Sequence, residues 1–168
     1  MKKILVVTAI LMLIALTLSS CGLTVPRPEI KDGEFNFKVW YEFNGEFKSV
    51  SGVYVCKYNG TDWALDGGYH RDWLGYIKDD ENEEMLEIGT TADGGQVRIN
   101  LAFYPEYFMN DPLTGGKEAP VPYISVTKVD GEGMAIYNET DMIEATYGIK
   151  ILGYMYDQPI TNDFGIFN

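Results

Sequence analysis

Alternating apolar and polar residues between Glu34 and Phe43 constrain the fold of this chain more than any other stretch. One phase consists of Phe35, Phe37, Val39, Tyr41 and Phe43, and the other is polar apart from Trp40. A period of two over ten residues predicts a β-strand with one buried and one solvent-facing side. Trp40 falls on the solvent-facing side, and we expect its ring to be partly buried under another segment, with a ligand-binding ring as the alternative.

Asn44-Gly45 follows this strand and predicts a β-hairpin, because a type I′ turn needs positive φ at both central positions. A two-residue loop then sets the register of the next strand. The expected pairs are Phe43 with Glu46, Val39 with Val50, Phe37 with Gly52, and Phe35 with Tyr54. A bulge at Gly52 is the alternative, and it would turn Val53 and Val55 towards the core.

Short strand-like segments separated by turn residues continue to the C-terminus. They are 61–65, 69–78, 85–91, 95–104, 122–130 and 149–156, with a turn at Asn59-Gly60 and a long irregular connection at 105–120. A short helix is predicted over 141–147, capped by Asn138 or Thr140 and ended by Gly148. This pattern predicts an all-β fold, an antiparallel β-sandwich of immunoglobulin-like architecture, with an open barrel as the alternative.

The N-terminus has the order of features of a secretory signal: Lys2 and Lys3, an apolar run to Leu16, and then small residues. Leu18-Ser19-Ser20-Cys21 resembles the lipobox of bacterial lipoproteins. The resemblance implies cleavage between Ser20 and Cys21 and a diacylglyceryl group on the Cys21 thiol. The alternative of a transmembrane anchor is disfavoured, since the apolar run is shorter than the ~20 residues a spanning helix needs.

The predicted organisation is therefore a signal peptide at 1–20, a lipidated N-terminus with a flexible tether at 21–33, and a single β-sandwich domain at 34–168. The expected location is extracytoplasmic, lipid-anchored to the bacterial cell membrane. Three stretches, 34–39, 53–58 and 147–152, resemble small lipoproteins of Gram-positive bacteria. That resemblance implies the same location, and it carries over no catalytic or binding residue.

The charge of the chain limits its partners. The formal net charge is −12, and removal of residues 1–20 would take away two lysines and no acidic residue, giving −14. Such acidity disfavours nucleic acid as a partner and disfavours electrostatic docking on anionic lipid. We expect the membrane to be a partner through the anchor, with an envelope carbohydrate or protein as a further candidate.

Five aromatic residues form the candidate ligand platform of the sequence: Trp40, Trp63, Tyr69, Trp73 and Tyr76. Aromatic rings beside polar groups suit the faces of sugar rings, but aromatic residues in a small sandwich are also core residues. The leading interpretation is a binding or structural module of the cell envelope. The alternative is an envelope glycoside hydrolase or carbohydrate-binding protein that uses the segment from Trp63 to Tyr76.

Catalytic and metal-binding signals are sparse. His70 is the sole histidine, and no Gly-x-Ser-x-Gly elbow accompanies it, so we expect a surface or loop-packing role for it and no enzyme activity. Cys56 lies in an apolar strand and is expected to be a small buried residue. Asp79, Asp80 and Glu81 offer oxygen ligands to a hard cation, but the acidic run lacks EF-hand spacing. We therefore predict no metal site and no cofactor.

Overall fold

The computed structural model describes residues 25–63, 68–79, 85–113, 119–127, 134–137 and 140–165. In these ranges the strands are β1 (Asp32–Phe43), β2 (Glu46–Trp63), β3 (Tyr69–Ile77), β4 (Met85–Thr90), β5 (Gln96–Asn100), β6 (Tyr123–Thr127), β7 (Met134–Tyr137) and β8 (Ile149–Tyr156). The helices are α1 (Pro105–Phe108) and α2 (Thr140–Tyr147).

The strands form two antiparallel sheets of four strands each. The front sheet has the order β3-β2-β1-β8, and the back sheet has the order β4-β5-β6-β7. A single buried cluster joins them, with Phe37 and Val39 from the front sheet and Val97 and Ile124 from the back sheet. The predicted β-sandwich is confirmed. The described strands form two separate sheets, whereas an open barrel would need one continuous sheet.

The predicted hairpin is confirmed in turn type and in register. Asn44 and Gly45 have φ values of 53° and 77°, as a type I′ turn requires. Phe37 pairs with Gly52 and Phe35 with Tyr54 without a register shift between β1 and β2, so Gly52 is not a bulge in this pair. The Phe37 ring lies over Gly52, where a Cβ atom would come within 2.9 Å of it. Glycine is therefore needed at this position for close packing.

The alternating side chains of β1 contribute five residues to the core that the structure describes. Its inward residues are all buried: Phe35, Phe37, Val39, Tyr41 and Phe43. Their aromatic rings meet aromatic residues from the chain beyond β5; for example, the Phe37 and Phe103 ring centroids are 5.5 Å apart. Edge-to-face packing of this kind adds to the free energy gained by burying the rings.

The turn predicted at Asn59-Gly60 is wrong. β2 continues through these residues as far as Trp63, and its pairing with β3 shifts register between Tyr58 and Gly60. Gly60 has a φ of 120°, which a β-bulge with an extra residue accommodates at a glycine. The local turn signal was outweighed by continued pairing with β3.

Three further elements differ from the sequence prediction, and one matches it. The strand predicted over 95–104 is shorter, because β5 ends at Asn100. The 105–120 segment was predicted to be irregular, but it begins with α1, where Pro105 sets the first turn and Phe108 is fully buried. β7 was not predicted. Helix α2 matches its prediction, and Gly148 ends it with a φ of 63°.

The predicted tether at 21–33 is shorter in the structure, because the chain from Pro26 onwards belongs to the fold. The Glu29 amide donates to the Asp163 carbonyl (2.7 Å), and the Tyr58 amide donates to the Lys31 carbonyl (2.7 Å). The Asn162 side chain accepts from the Ile30 amide and donates to the Ile30 carbonyl, each at 2.9 Å. These bonds fix residues 26–31 between β2 and the C-terminal segment.

Residues 1–20, Cys21 and most of the acidic run lie outside the described residues. Within the described ranges, no helix combines the length and hydropathy needed to cross a bilayer.

Candidate ligand-binding face

The outer face of the front sheet is the face that β1 turns away from the core. Asn36, Lys38 and Trp40 project there from β1, between the partners that β2 and β8 supply. Trp40 is half-buried, because its ring lies beside the backbone of Gly153 on β8, where a Cβ atom would be 3.9 Å from the ring. The expected partial burial of Trp40 is thus observed.

A groove of about 350 Å³ crosses β2, β1 and β8 on this face. Side chains from all three strands line it: Asn36, Lys38, Ser51, Val53, Met155 and Asp157. Met155 is the most exposed apolar residue among them, at 57%. The volume falls in the range of small-molecule sites, and apolar side chains stand beside a few convergent polar groups, as in such sites.

Hydrogen bonds fix one end of the groove. Asp157 Oδ2 accepts from both the backbone amide and the side-chain amide of Asn36, each at 2.8 Å. The Asp157 amide in turn donates to the Asn36 carbonyl at 2.9 Å. These three bonds hold the carboxylate and the amide in place before any ligand binds, which lowers the entropy cost of binding.

Lys38 lines the groove, and two further lysines, Lys57 and Lys78, lie on the front sheet. Lys38 Nζ lies 5.3 Å from the centroid of the Trp40 ring, and Lys57 Nζ lies 5.2 Å from that of Tyr76. Both distances allow cation–π attraction. Lys78 donates to both carboxylate oxygens of Glu34, at 2.8 and 2.9 Å, and this hydrogen bond raises the lysine pKa. The face therefore carries lysines and carboxylates side by side, with Lys78 paired to Glu34 and Asp157 in the groove.

The five aromatic residues predicted as one platform do not form a single surface. Trp73 points into the sandwich and is 6% exposed, so it cannot belong to an exposed platform. Trp40 and Tyr76 both lie on the outer face, but their β2 partners, Ser49 and Val55, are six residues apart. That separation is about 20 Å along the strand, too far for one sugar ring to contact both.

Trp63 and Tyr69 pair with each other at the last position of the β2–β3 ladder. The placement of their side chains lies outside what the structure describes. The predicted segment from Trp63 to Tyr76 is therefore divided between the end of the sandwich, the core and the outer face.

A buried ion pair lies beneath the other side of β3, and sequence reasoning missed it. Arg71 donates to Asp111 through Nε (2.7 Å) and Nη2 (2.8 Å), and the Trp73 indole N–H donates to the same carboxylate (2.9 Å). Arg71 also donates to the Pro26 carbonyl (2.8 Å), and its guanidinium lies 4.2 Å from the ring centroid of Phe164. One arginine thus joins β3, the loop after α1 and both ends of the described chain.

The Asp111 carboxylate remains ionised in this buried position. Burial alone would raise its pKa, but hydrogen bonds from Arg71 and Trp73 outweigh that effect and hold the pKa of Asp111 below its ordinary value. Every polar group here has a partner within the fold. We therefore assign the Arg71–Asp111 pair a structural role.

In the described residues, no catalytic or metal-binding group is built from His70, Cys56 or the acidic run. His70 Nδ1 is buried without a hydrogen-bond partner there. Cys56 is completely buried in β2, as expected for a small core residue. Asp79 is exposed, Asp80 and Glu81 lie outside the described residues, and no group of three metal-ligating side chains occurs in the described part of the chain.

Glu106 on α1 provides a test of the electrostatics around the ion pair. Burial, followed by the negative charges of Asp111 and Asp72, raises the pKa of Glu106. A raised native pKa favours the protonated form, so the charge of Glu106 destabilises the native state at neutral pH. Glu106→Gln should increase the free energy of unfolding at pH 7, as measured by urea denaturation.

The advantage of Glu106→Gln should disappear as the pH falls below about 4.3, the ordinary pKa of glutamate, because the wild-type carboxyl is then neutral in both states. Glu42→Gln, at an exposed position on β1, is the matched control and should not show this trend. If the stability advantage of Glu106→Gln persisted unchanged at low pH, it would contradict the raised pKa of Glu106.

In comparisons with known proteins, no family model, no curated protein and no solved structure matches this chain.

Proposed function

We propose that this protein is a lipid-anchored binding module of the bacterial cell envelope, and that the outer face of the front sheet is its ligand surface. The observation that carries the proposal is the groove across β2, β1 and β8. The lipobox-like sequence ending at Cys21 supports the anchor and the extracytoplasmic location.

Envelope carbohydrate is the ligand class that the groove fits best. Asn36, Ser51 and Asp157 supply donors and acceptors suited to hydroxyl and acetamido groups, and Met155 offers an apolar contact. Lys38 adds a cation for the carboxylates that envelope glycans carry, and the neighbouring Trp40 ring offers an aromatic surface. A polar groove with an aromatic neighbour suits a sugar, whose ring has apolar faces and polar edges.

Glycoside hydrolysis is the alternative function. Most glycosidases use two carboxyl groups about 5–9.5 Å apart across the scissile bond. The lining of the groove supplies one carboxylate, Asp157. We therefore place binding ahead of hydrolysis. Asp157→Asn distinguishes binding from hydrolysis. A hydrolase would release reducing sugar, and the substitution would abolish that release. A binding module would release no reducing sugar even as the wild-type protein.

A titration with a soluble N-acetylglucosamine tetrasaccharide, followed by sedimentation with purified peptidoglycan, tests the ligand class. We expect Met155→Ala to weaken binding to both probes about tenfold, the effect of losing one well-placed contact, and Lys38→Ala to weaken binding to peptidoglycan, which carries carboxylates, by a similar factor. Leu152→Ala is the matched control, since Leu152 lies on the same strand, is 47% exposed and does not line the groove. Equal losses in Met155→Ala and Leu152→Ala, or no binding to either probe, would contradict the proposal.

The anchor predicts where the chain is found in the cell. Cys21→Ser removes the thiol that takes the lipid, so the variant should leave the membrane pellet and appear in the soluble extracytoplasmic fraction. Two acyl chains hold a protein stably, with ~0.8 kcal/mol for each buried CH₂ group. A Cys21→Ser protein that still sediments with membranes after a high-salt wash would contradict the anchor. Cys56→Ser is the control, because Cys56 is buried and should leave the location unchanged.

A further inference from the structure

The path of residues 26–31 determines where an N-terminal anchor would attach to the domain. Pro26 is held by Arg71, which pairs with Thr61 on β2, and Lys31 is held by Tyr58. The segment therefore runs along β2 towards the position where Trp63 pairs with Tyr69. This end of the sandwich, formed by residues 26–31 and the Trp63–Tyr69 end of the β2–β3 pair, is termed the anchored end.

Only four residues, 22–25, separate Cys21 from Pro26. Five residue steps span at most about 18 Å when fully extended. β1 leads away from this end, and its twelve residues extend for about 40 Å to the hairpin at Asn44-Gly45. The covalent link is thus shorter than half the length of the domain.

We propose that the anchored end rests on the lipid bilayer, so that the sandwich stands on the membrane with the Asn44-Gly45 hairpin furthest from it. The inference depends on the lipid anchor proposed above, and it adds the orientation of the domain. The bond from Arg71 to the Pro26 carbonyl makes the attachment firm, because the guanidinium that donates it is itself fixed by the buried ion pair with Asp111.

The residue types at the anchored end suit the bilayer interface. Leu113 is 55% exposed and follows Asp111, whose carboxylate accepts from the Leu113 amide at 3.0 Å. An exposed leucine here can bury its side chain at the boundary between the headgroups and the acyl chains. Charge does not supply the attraction, because the exposed acidic residues there, Glu29, Asp62 and Asp163, outnumber the exposed basic residues, Arg27 and Lys31. The orientation should therefore persist at high salt.

This orientation gives the groove lateral access. Asn36 and Lys38 are four and six residues into β1, which places them about 13–20 Å beyond its membrane-proximal start. The outer face of the front sheet would stand away from the bilayer, where a polymer lying parallel to the membrane could reach it.

The test uses the lipidated full chain, reconstituted into phosphatidylethanolamine–phosphatidylglycerol vesicles that contain a headgroup nitroxide lipid. A fluorophore is attached to Leu113→Cys or to Phe47→Cys, both at exposed positions, while the buried Cys56 is protected from labelling. Phe47 pairs with Glu42, which is ten residues beyond Asp32 along β1. The label at 47 should therefore lie about 33 Å further from the bilayer than Asp32 does. We expect nitroxide to quench the label at 113 and to leave the label at 47 unquenched.

Two further measurements separate the possible failures. Flotation with the vesicles after a salt wash reports the anchor by itself, so a chain that does not float overturns the anchor and the orientation together. A floating chain with equal quenching at 113 and 47, or stronger quenching at 47, overturns the orientation alone. Ten Gly/Ser residues inserted between Thr24 and Val25 should abolish most of the quenching at 113. Unchanged quenching in that variant would overturn the role of the short linker.

Discussion

Asp111→Ala is expected to lower the free energy of unfolding by about 3–5 kcal/mol, the usual cost of leaving one partner of a buried ion pair without the other. Arg71 would keep its bond to the Pro26 carbonyl, but its Nε and Nη2 donors would lose their carboxylate. The Trp73 indole would lose its acceptor as well. Urea denaturation followed by tryptophan fluorescence measures the change.

The double variant Arg71→Met with Asp111→Leu is the control for this prediction. Replacing both partners by apolar side chains leaves no buried charge, so the double variant should be more stable than Asp111→Ala. If the single and double variants lost the same free energy, the loss would come from packing and not from an uncompensated charge.

The same pair predicts the acid sensitivity of the fold. Because the pKa of Asp111 is lowered in the native state, its contribution to stability is fully present above about pH 3.9, the ordinary pKa of aspartate. It should be lost as the pH falls further, through the native pKa. The double variant should lack this part of the acid dependence.

Gly75→Ala is expected to destabilise the fold by about 3 kcal/mol, at the upper end of the cost of overpacking a core. A Cβ atom at residue 75 would overlap the Tyr54 hydroxyl oxygen and come within 2.7 Å of Pro105 Cγ. Tyr54 is completely buried, packs against Phe103 and Phe108, and donates to the Phe103 carbonyl at 3.2 Å, so its ring can move only by disturbing these contacts. Thermal unfolding monitored by circular dichroism measures the effect.

Gly153→Ala is the matched control, because it is also a glycine-to-alanine change in a strand of the front sheet. Its nearest contact would be Trp40 Cε3 at 3.9 Å, an ordinary van der Waals distance. We expect a change within about 0.5 kcal/mol, as for most surface substitutions. Combining Tyr54→Phe with Gly75→Ala should recover part of the loss, since the overlapping oxygen is then absent. Equal effects of Gly75→Ala and Gly153→Ala would show that the packing around Tyr54 is looser than described.

The β1–β2 hairpin could be predicted from sequence because its information is local. The type I′ turn at Asn44-Gly45 fixes the register, and the alternation in β1 fixes the buried face, so both were confirmed. The Asn59-Gly60 signal is equally strong locally, yet there the pairing with β3 continues past a bulge. A local turn preference stabilises the chain less than continued strand pairing does. Only the structure shows that the pairing of β2 with β3 continues past Gly60.

The candidate site was less accessible to sequence reasoning, because it depends on residues that are distant in the chain. Asn36 and Asp157 are 121 positions apart, and Arg71 and Asp111 are 40 apart. One signal for the ion pair was present: Arg71 shares the strand phase of the buried Trp73, and an arginine in that phase needs a buried carboxylate partner. Nothing in the spacing identifies which of the 25 acidic residues it would be.

The chemical state of the mature N-terminus is the most direct test of the envelope-module account. Protein purified from its native host can be cleaved after Glu29, which would release a peptide of residues 21–29 for mass spectrometry. The account predicts that Cys21 is the first residue and carries a diacylglyceryl thioether. An uncleaved leader, or a Cys21 thiol without lipid, would contradict it.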